Sequence, residues 1–218
     1  MINRKFMAKV AGVSAAATVA VGLFSTGAAN ADTFVPLPGG HITKTLSDGT
    51  VVDIALVGES ALISPSMGST PVHRNAWVSG SAQVTVSDGG SGKIYPGYTV
   101  GCQVNIAGGG GGASVDGSVS GDSGDVEVGG SGELSLGPGQ SSSFYILDRE
   151  IADDFGSEAH SKSNKFKNGS GSVTWSDTTI GLTGCAGYAQ ARAFVSVEVE
   201  TDNVISWVTL WGAPFSLG

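Results

Sequence analysis

Apolar and polar residues alternate with a period of two along most of the chain after residue 40. Because successive side chains of a strand point to opposite faces, this alternation predicts strands with one apolar and one polar face. The clearest case is residues 41–57, which predict a hairpin turned at Ser47-Asp48-Gly49-Thr50, since Asp-Gly between alternating runs is a strong hairpin signal. The same pattern predicts strands over residues 77–86, 95–106, 172–175, 178–183, 188–200 and 204–211, with Thr201-Asp202-Asn203 turning the last pair.

The remaining stretches have weaker patterns. Residues 32–40 predict an extended leader, and residues 58–71 predict a loop or a short helical turn. Residues 144–151 predict a strand that runs into a short helix near residues 148–155, and the polar residues 156–171 predict a solvated loop. The total is about ten strands with almost no helix, which indicates an all-β fold. No repeat of 20–50 residues is visible, so a solenoid or propeller is not expected.

A glycine-rich segment, residues 107–136, has the alternation of one long hairpin turned at Asp122-Ser123-Gly124-Asp125. Its two arms are about 10 and 12 residues long, the length of a strand that crosses a bilayer. One face of this hairpin is apolar or small, at Val115, Gly117, Val119, Val126, Val128, Leu134 and Leu136. The other face is polar, at Asp116, Ser118, Ser120, Asp125, Glu127, Glu133 and Ser135.

The polar face is a strip of carboxylates without countercharges, because no basic residue lies between Lys93 and Arg149. Such a strip needs water or cations beside it, and a glycine-rich hairpin of this length is not stable alone in water. Several copies of the chain would solve both problems by donating hairpins to one closed barrel, with apolar residues facing lipid and carboxylates lining a lumen that attracts cations. The alternative is a secreted all-β binding or adhesion domain with an acidic surface hairpin.

Residues 1–31 have the organisation of a secretory signal peptide. A basic start precedes an apolar run over residues 10–24, and Ala29-Asn30-Ala31 offers small residues for cleavage after the triplet. The alternative is a transmembrane anchor, which fits less well because the run is short and is interrupted by Gly12 and Gly22. We therefore expect the mature chain to be exported.

Composition narrows the class of protein. Of 218 residues, 35 are glycine and 14% are charged. So much glycine disfavours a helical bundle, because each glycine costs a helix about 1 kcal/mol relative to alanine. Removing the three basic residues of the signal peptide leaves 8 basic against 19 acidic residues, a formal charge of −11. This charge makes nucleic acid an unsuitable partner.

Export also permits disulfides, and the chain has two cysteines, Cys102 and Cys185. One bridge between them is the only intramolecular disulfide that the sequence allows. In the chain-entropy view it would stabilise the fold by about 4 kcal/mol, because it closes a long loop. The alternative is a pair of buried thiols.

Enzymatic and metal sites find little support in the sequence. The three histidines are far apart, and no H-E-x-x-H, G-x-S-x-G or complete phosphate-loop motif is present. We therefore predict neither an enzyme nor a cofactor. One alternative concerns Asp122, Asp125 and Glu127, whose oxygens would suit a specific calcium site. Loose attraction of cations explains the same carboxylates without such a site.

Short motifs follow one another along the mature chain. They are His73-Arg74-Asn75-Ala76-Trp77-Val78-Ser79-Gly80, Gly97-Tyr98-Thr99-Val100-Gly101, Gly137-Pro138-Gly139, Gly171-Ser172-Val173-Thr174, Ala191-Arg192-Ala193-Phe194 and Trp211-Gly212-Ala213-Pro214. Each motif is short, but in order and spacing across most of the mature chain they resemble the MspA-type porins of the mycolic-acid outer membrane of actinobacteria.

The resemblance implies a goblet-shaped ring of about eight subunits that passes cations and small hydrophilic solutes. Each subunit would have a β-rich rim domain, here residues 32–106 and 137–218, and would give the two strands of residues 107–136 to a transmembrane stem. The narrowest point of the family is an acidic ring at the hairpin tip. It corresponds to Asp122, Asp125 and Glu127, while Asp116, Ser118, Ser120 and Glu133 would line the pore.

Two features depart from the resemblance. No Trp, Tyr or Phe lies between Tyr98 and Phe144, so the aromatic girdle of a membrane barrel is missing from the predicted stem. The two cysteines are also not expected of the family. Some relatives combine two kinds of subunit, so the expected partners are further copies of the chain, a related second subunit in some assemblies, and outer-membrane lipids.

Overall fold

The structure is a computed structural model that describes residues 32–65, 70–104, 106, 133–135, 139–151 and 159–218. The predicted signal peptide and most of the predicted stem hairpin lie outside the described residues. Within those residues there is no helix with the length and hydrophobicity that a bilayer crossing requires.

The described part of the chain is made almost entirely of strands, with one 3₁₀ turn at Ser87–Gly89. The strands are β1 (Thr33–Pro36), β2 (Gly40–Thr45), β3 (Val51–Pro65), β4 (Arg74–Val86), β5 (Ser91–Cys102), β6 (Glu133–Ser135), β7 (Ser141–Tyr145), β8 (Arg149–Ile151), β9 (Ala159–Ser161), β10 (Asn164–Phe166), β11 (Ser170–Thr183), β12 (Ala189–Glu200) and β13 (Ile205–Ser216). The predicted all-β fold is therefore confirmed.

The first sheet is built on β3 and β4, which pair antiparallel from Val52 opposite Val86 to Pro65 opposite Arg74. On its other side β4 pairs with β11 in antiparallel fashion, and β6 adds to β11 in parallel. β2 and β1 lie one after the other along the remaining edge of β3. The order across the sheet is thus β1 and β2, then β3, β4, β11 and β6.

The second sheet is built on β5 and β12, which pair antiparallel along their full lengths. β13 pairs with the outer side of β12, and β10 and β7 lie one after the other along the outer side of β5. A separate two-stranded ribbon joins β8 and β9.

The inward-facing residues of both sheets form one apolar core, so the two sheets make a β-sandwich. Alternation along the strands places Val52, Ile54 and Leu56 inside from the first sheet. Across the core, the indole Nε1–H of Trp175 donates a hydrogen bond to the hydroxyl of Tyr98 at 3.2 Å. The two rings meet edge to face, with centroids 6.5 Å apart.

Two of the three predicted tight turns are confirmed, and the third, at Asp122-Ser123-Gly124-Asp125, lies outside the described residues. β2 and β3 form the hairpin predicted over residues 41–57, and Asp48 shapes its turn by accepting the Thr50 N–H at 3.0 Å. The hydroxyl of Thr201 also donates to Asp48 at 2.7 Å, and these bonds lower the pKa of the Asp48 carboxyl, the Thr201 bond most strongly. Between β12 and β13 the Thr201 N–H donates to the carbonyl of Val204 at 2.9 Å.

Two predictions of broken strands are wrong. Residues 58–65 are not a loop, because β3 continues to Pro65 through a bulge between Val57 and Ser60 and pairs there with β1 and β4. Residues 172–175 and 178–183 belong to one strand, β11, which carries a bulge between Trp175 and Thr178. In both strands the extra residue interrupts the alternation without ending the pairing.

Two predictions around residues 144–171 are also wrong. The predicted helix does not begin near residue 148, because Arg149–Ile151 form β8 and pair with β9. The predicted solvated loop contains β9 and β10, and Phe166 of β10 is buried against the core. Phe166 packs there because Gly92 and Gly171 leave room for its ring.

Candidate functional site

The candidate site begins where residues 103–140 are inserted between two neighbouring strands of the second sheet. β5 ends at Cys102 and β7 begins at Ser141, and Gly101 lies directly opposite Ser141 in the ladder. The chain therefore leaves and re-enters the sandwich at one place. An insertion with adjacent ends is what a projecting hairpin requires.

The two ends of the insertion are held by backbone hydrogen bonds. On the outgoing side, the Gln103 N–H donates to the carbonyl of Tyr188 at 2.9 Å, and the Ile106 N–H donates to the carbonyl of Gly184 at 2.8 Å. On the returning side, the Gly139 N–H donates to the carbonyl of Cys102 at 3.1 Å. We call this arrangement, residues 102–104, 106, 139–141 and 184–188, the base of the insertion.

A disulfide between Cys102 and Cys185 crosses the base and confirms the predicted bridge. The Cα atoms are 5.9 Å apart, and both cysteines are buried. The bridge joins the end of β5 in the second sheet to the segment that follows β11 in the first sheet. Its partners are 83 residues apart in sequence, so the chain-entropy model gives a stabilisation of about 4–5 kcal/mol.

Of the residues predicted to line the pore, Glu133 is described. It begins β6, and its backbone lies opposite Gly181 of β11, so residues 133–135 run along the edge of the first sheet. The others lie outside the described residues, and their roles stay predictions: Asp116, Ser118, Ser120, Asp122, Asp125 and Glu127.

Within the described ranges, no group of three or more His, Cys, Asp or Glu side chains is arranged to hold a metal ion. Two histidines instead face single carboxylates at the surface. His41 Nε2 lies 2.9 Å from Asp53, and His160 Nδ1 lies 2.7 Å from Asp148. The alternative calcium site at Asp122, Asp125 and Glu127 falls outside the described part of the chain.

Sequence reasoning missed an unusual carboxyl group, that of Glu59. It sits in the bulge of β3, after Gly58, whose φ of +62° lies in the left-handed region that suits glycine. The bulge turns the side chain into the sandwich, and Glu59 is only 2% exposed. Its Oε2 lies 2.8 Å from the place where a Cβ on Gly212 would sit, so the carboxyl packs directly against the backbone of residue 212.

Burial sets the chemistry of this carboxyl. Neither oxygen of Glu59 has a hydrogen-bond partner in the part of the chain that the structure describes. Loss of hydration disfavours the charged form, and burial raises the pKa of Glu59 to about 7. Tyr98 lies near enough that its own pKa, raised mainly by burial, is raised further by the Glu59 charge. The signal for this group in the sequence was a Gly-Glu pair interrupting an alternating strand.

Comparison with known proteins adds one finding to this geometry. The family model described as MspA matches residues 48–216, which is more than half of the chain and includes the second sheet, the first sheet apart from β1 and β2, the base and the whole insertion. No curated protein matches the chain.

Proposed function

The chain belongs to the MspA family, a family of self-associating porin-type channels of the outer membrane, and from that premise we propose the function of its insertion. The chain forms a diffusion channel for cations and small hydrophilic solutes in a mycolic-acid outer membrane. Residues 107–136 of each subunit supply the stem of this channel, and residues 32–106 and 137–218 form its rim. The family is one of porins rather than enzymes, so passage through the pore is the activity.

The observation that carries the proposal is the position of the insertion. The family match spans residues 107–136, and the strands that flank the insertion, β5 and β7, are paired neighbours in which Gly101 lies opposite Ser141. A hairpin that projects from one end of a sandwich leaves the sandwich intact while its strands pair with those of other subunits. Such pairing would give every backbone N–H and C=O group in the lipid a hydrogen-bond partner, since a closed barrel has no free edge.

Cation preference would follow from the acidic side chains of the hairpin. In a ring, Asp122, Asp125 and Glu127 of every subunit would stand at the same height and form stacked carboxylate rings. Rings of carboxylates attract cations and repel anions. Asp116, Ser118 and Ser120 would line the wider part of the lumen, and Glu133, whose backbone pairs with β11 at the edge of the first sheet, would lie where the stem meets the rim.

The base would serve as a rigid collar for the stem. Its disulfide and backbone hydrogen bonds fix the insertion to both sheets. Each hairpin would then leave its rim domain in a defined direction, which a symmetric barrel of about eight subunits requires.

The test is the ion selectivity of a triple variant, Asp122→Asn with Asp125→Asn and Glu127→Gln, in planar bilayers with a KCl gradient. We expect channels that still form and whose potassium-to-chloride permeability ratio falls towards one. The matched control is Asp148→Asn with Glu150→Gln and Asp202→Asn. It removes the same number of carboxylates from exposed places on the rim and should keep the ratio of the wild type.

An unchanged ratio in the stem variant would remove Asp122, Asp125 and Glu127 from the constriction. The alternative function, a secreted binding or adhesion domain, predicts a different particle. That particle would stay monomeric and soluble without detergent, whereas a channel would be an oligomer that needs detergent.

A further inference from the structure

The outer face of the second sheet carries a continuous row of aromatic rings across its four columns of strands. Tyr145 and Phe194 have ring centroids 5.8 Å apart, and Phe194 and Trp211 are 5.6 Å apart. Phe194 fits between the other two because Gly97 lies beneath it, where a Cβ would be 2.4 Å from its ring. We call this the aromatic row.

The aromatic row continues from Trp211 towards the beginning of β13. Tyr95 contacts Tyr145 at 5.7 Å and Trp207 at 5.2 Å between ring centroids. The guanidinium of Arg192 lies 5.1 Å from the centre of the Trp211 ring, a cation–π contact. Trp207 is 56% exposed and Trp211 is 45% exposed. Exposed Trp and Arg beside partly buried Tyr in one patch are the composition of the core of a protein–protein interface.

The opposite outer face, on the first sheet, carries a second apolar row. Phe34 of β1 lies opposite Leu62 of β3, and Leu62 lies opposite Trp77 of β4. The alternation of β4 turns Ala76 and Val78 inward, so Trp77 points outward. Phe34 is 64% exposed. One sandwich thus presents two different apolar patches on opposite sides.

We infer that the aromatic row of one subunit packs on the Phe34–Leu62–Trp77 row of the next subunit. This contact rests on the proposed function, whose partner it names as a second copy of the chain. Two different patches on opposite sides give a head-to-tail contact, and head-to-tail contacts generate closed rings when the rotation between neighbours permits. An isologous dimer would instead need one patch to match itself.

The size of the face agrees with a stable contact. β12 has 12 residues, and four columns of strands give a face of roughly 19 Å by 40 Å, or roughly 760 Å². A standard protein–protein interface buries about 800 Å² on each partner. The outer face of the second sheet therefore has the area that one partner contributes to a standard interface.

Cross-linking tests the pairing of the two faces. In the double variant Phe34→Cys with Trp211→Cys, a short bis-maleimide applied to the assembled, detergent-purified protein should give a ladder of covalent oligomers on a denaturing gel. Each single variant should give none, because a head-to-tail contact does not bring equal positions together. The control pair, Phe34→Cys with Asn203→Cys, moves the second thiol to the exposed β12–β13 turn and should also give none.

A charge placed on the outer face of the second sheet tests how much this face contributes to the stability of the oligomer. Trp207→Glu should raise the concentration at which the oligomer dissociates at least about tenfold, because it removes an aromatic anchor and would bury a carboxylate. Ile151→Glu is the control, since Ile151 is 49% exposed on the separate β8–β9 ribbon. Circular dichroism should show the strand content of the wild type in both variants.

The outcomes separate this contact from the proposed channel. Conducting oligomers in which the double variant does not cross-link would overturn the contact and leave the channel standing. Cross-linked rings that do not conduct, either alone or co-assembled with a related subunit, would support the contact and refute the channel. Cross-linking of the Trp211→Cys single variant would also overturn the head-to-tail arrangement, because it would show an isologous one.

Discussion

Replacing the buried Glu59 by glutamine should remove a defined part of the pH dependence of folding. Glu59 sits between the sheets with no hydrogen-bond partner in the described residues, beside Gly212 and near Tyr98. Glutamine has nearly the same shape and does not ionise. The variant Glu59→Gln therefore isolates the cost of the buried charge.

The size of the effect follows from the pKa of Glu59, which rises from 4.5 to about 7 in the folded chain. Between these values the folded state binds a proton that the unfolded state has lost, so stability falls as pH rises through this window. The contribution of the protonated carboxyl is fully present below pH 4.5 and is lost by about pH 7. At about 1.4 kcal/mol for each pKa unit, the loss is about 3 kcal/mol.

The assay is urea unfolding followed by tryptophan fluorescence at steps between pH 4.5 and 8, with wild type and variant at the same protein concentration. Other carboxylates titrate in both proteins, so the quantity of interest is the difference between their free energies of unfolding. We expect this difference to move in favour of Glu59→Gln by about 3 kcal/mol across the range. Glu150→Gln, at an exposed position, is the control for loss of a carboxyl group at the surface. A difference for Glu59→Gln that does not change with pH would refute the account of its burial.

Two further predictions concern the sandwich and its base. The double variant Cys102→Ser with Cys185→Ser should lose about 4–5 kcal/mol of unfolding free energy. Reduced wild type should unfold at the same urea concentration as this variant, and a variant as stable as the oxidised wild type would contradict the role of the bridge. Gly97→Ala should destabilise by about 1–3 kcal/mol because its Cβ would overlap the Phe194 ring. Gly101→Ala on the same strand is the control, because its added Cβ would lie no closer than 3.7 Å to any neighbouring atom. Equal thermal unfolding temperatures for the two alanine variants would contradict the close packing of Phe194 on Gly97.

Local signals in the sequence were sufficient for the regular parts of this fold. Asp48-Gly49 between alternating runs predicts the β2–β3 hairpin, and the structure has it. The disulfide was predictable because export permits bridges and the chain has only Cys102 and Cys185. These inferences depend on residues close in sequence or on simple counting, and neither needs the tertiary arrangement.

The bulges could not be predicted in the same way. An extra residue at Gly58-Glu59 shifts the alternation by one position, which has the same appearance in sequence as the end of a strand. Only pairing with β1 and β4 shows that β3 continues. Glu59 is buried against Gly212, which is distant in sequence and lies on the opposite sheet, so no local pattern could reveal its burial.

The two apolar rows could not be predicted from the sequence for a similar reason. The sequence shows only single aromatic residues within predicted strands at Trp77, Phe194 and Trp211. Most aromatic residues in such positions pack in a core. Their grouping on outer faces depends on the register between strands. The acidic hairpin, by contrast, was visible in the sequence because it combines a local alternation with a local absence of basic residues.

The most direct test of the central claim is the conductance of the purified mature protein in a planar bilayer. We expect discrete conductance steps and, in a KCl gradient, a reversal potential of the sign that marks cation preference. Absence of steps from the protein, both alone and co-assembled with a related subunit, would contradict the account that residues 107–136 build a pore.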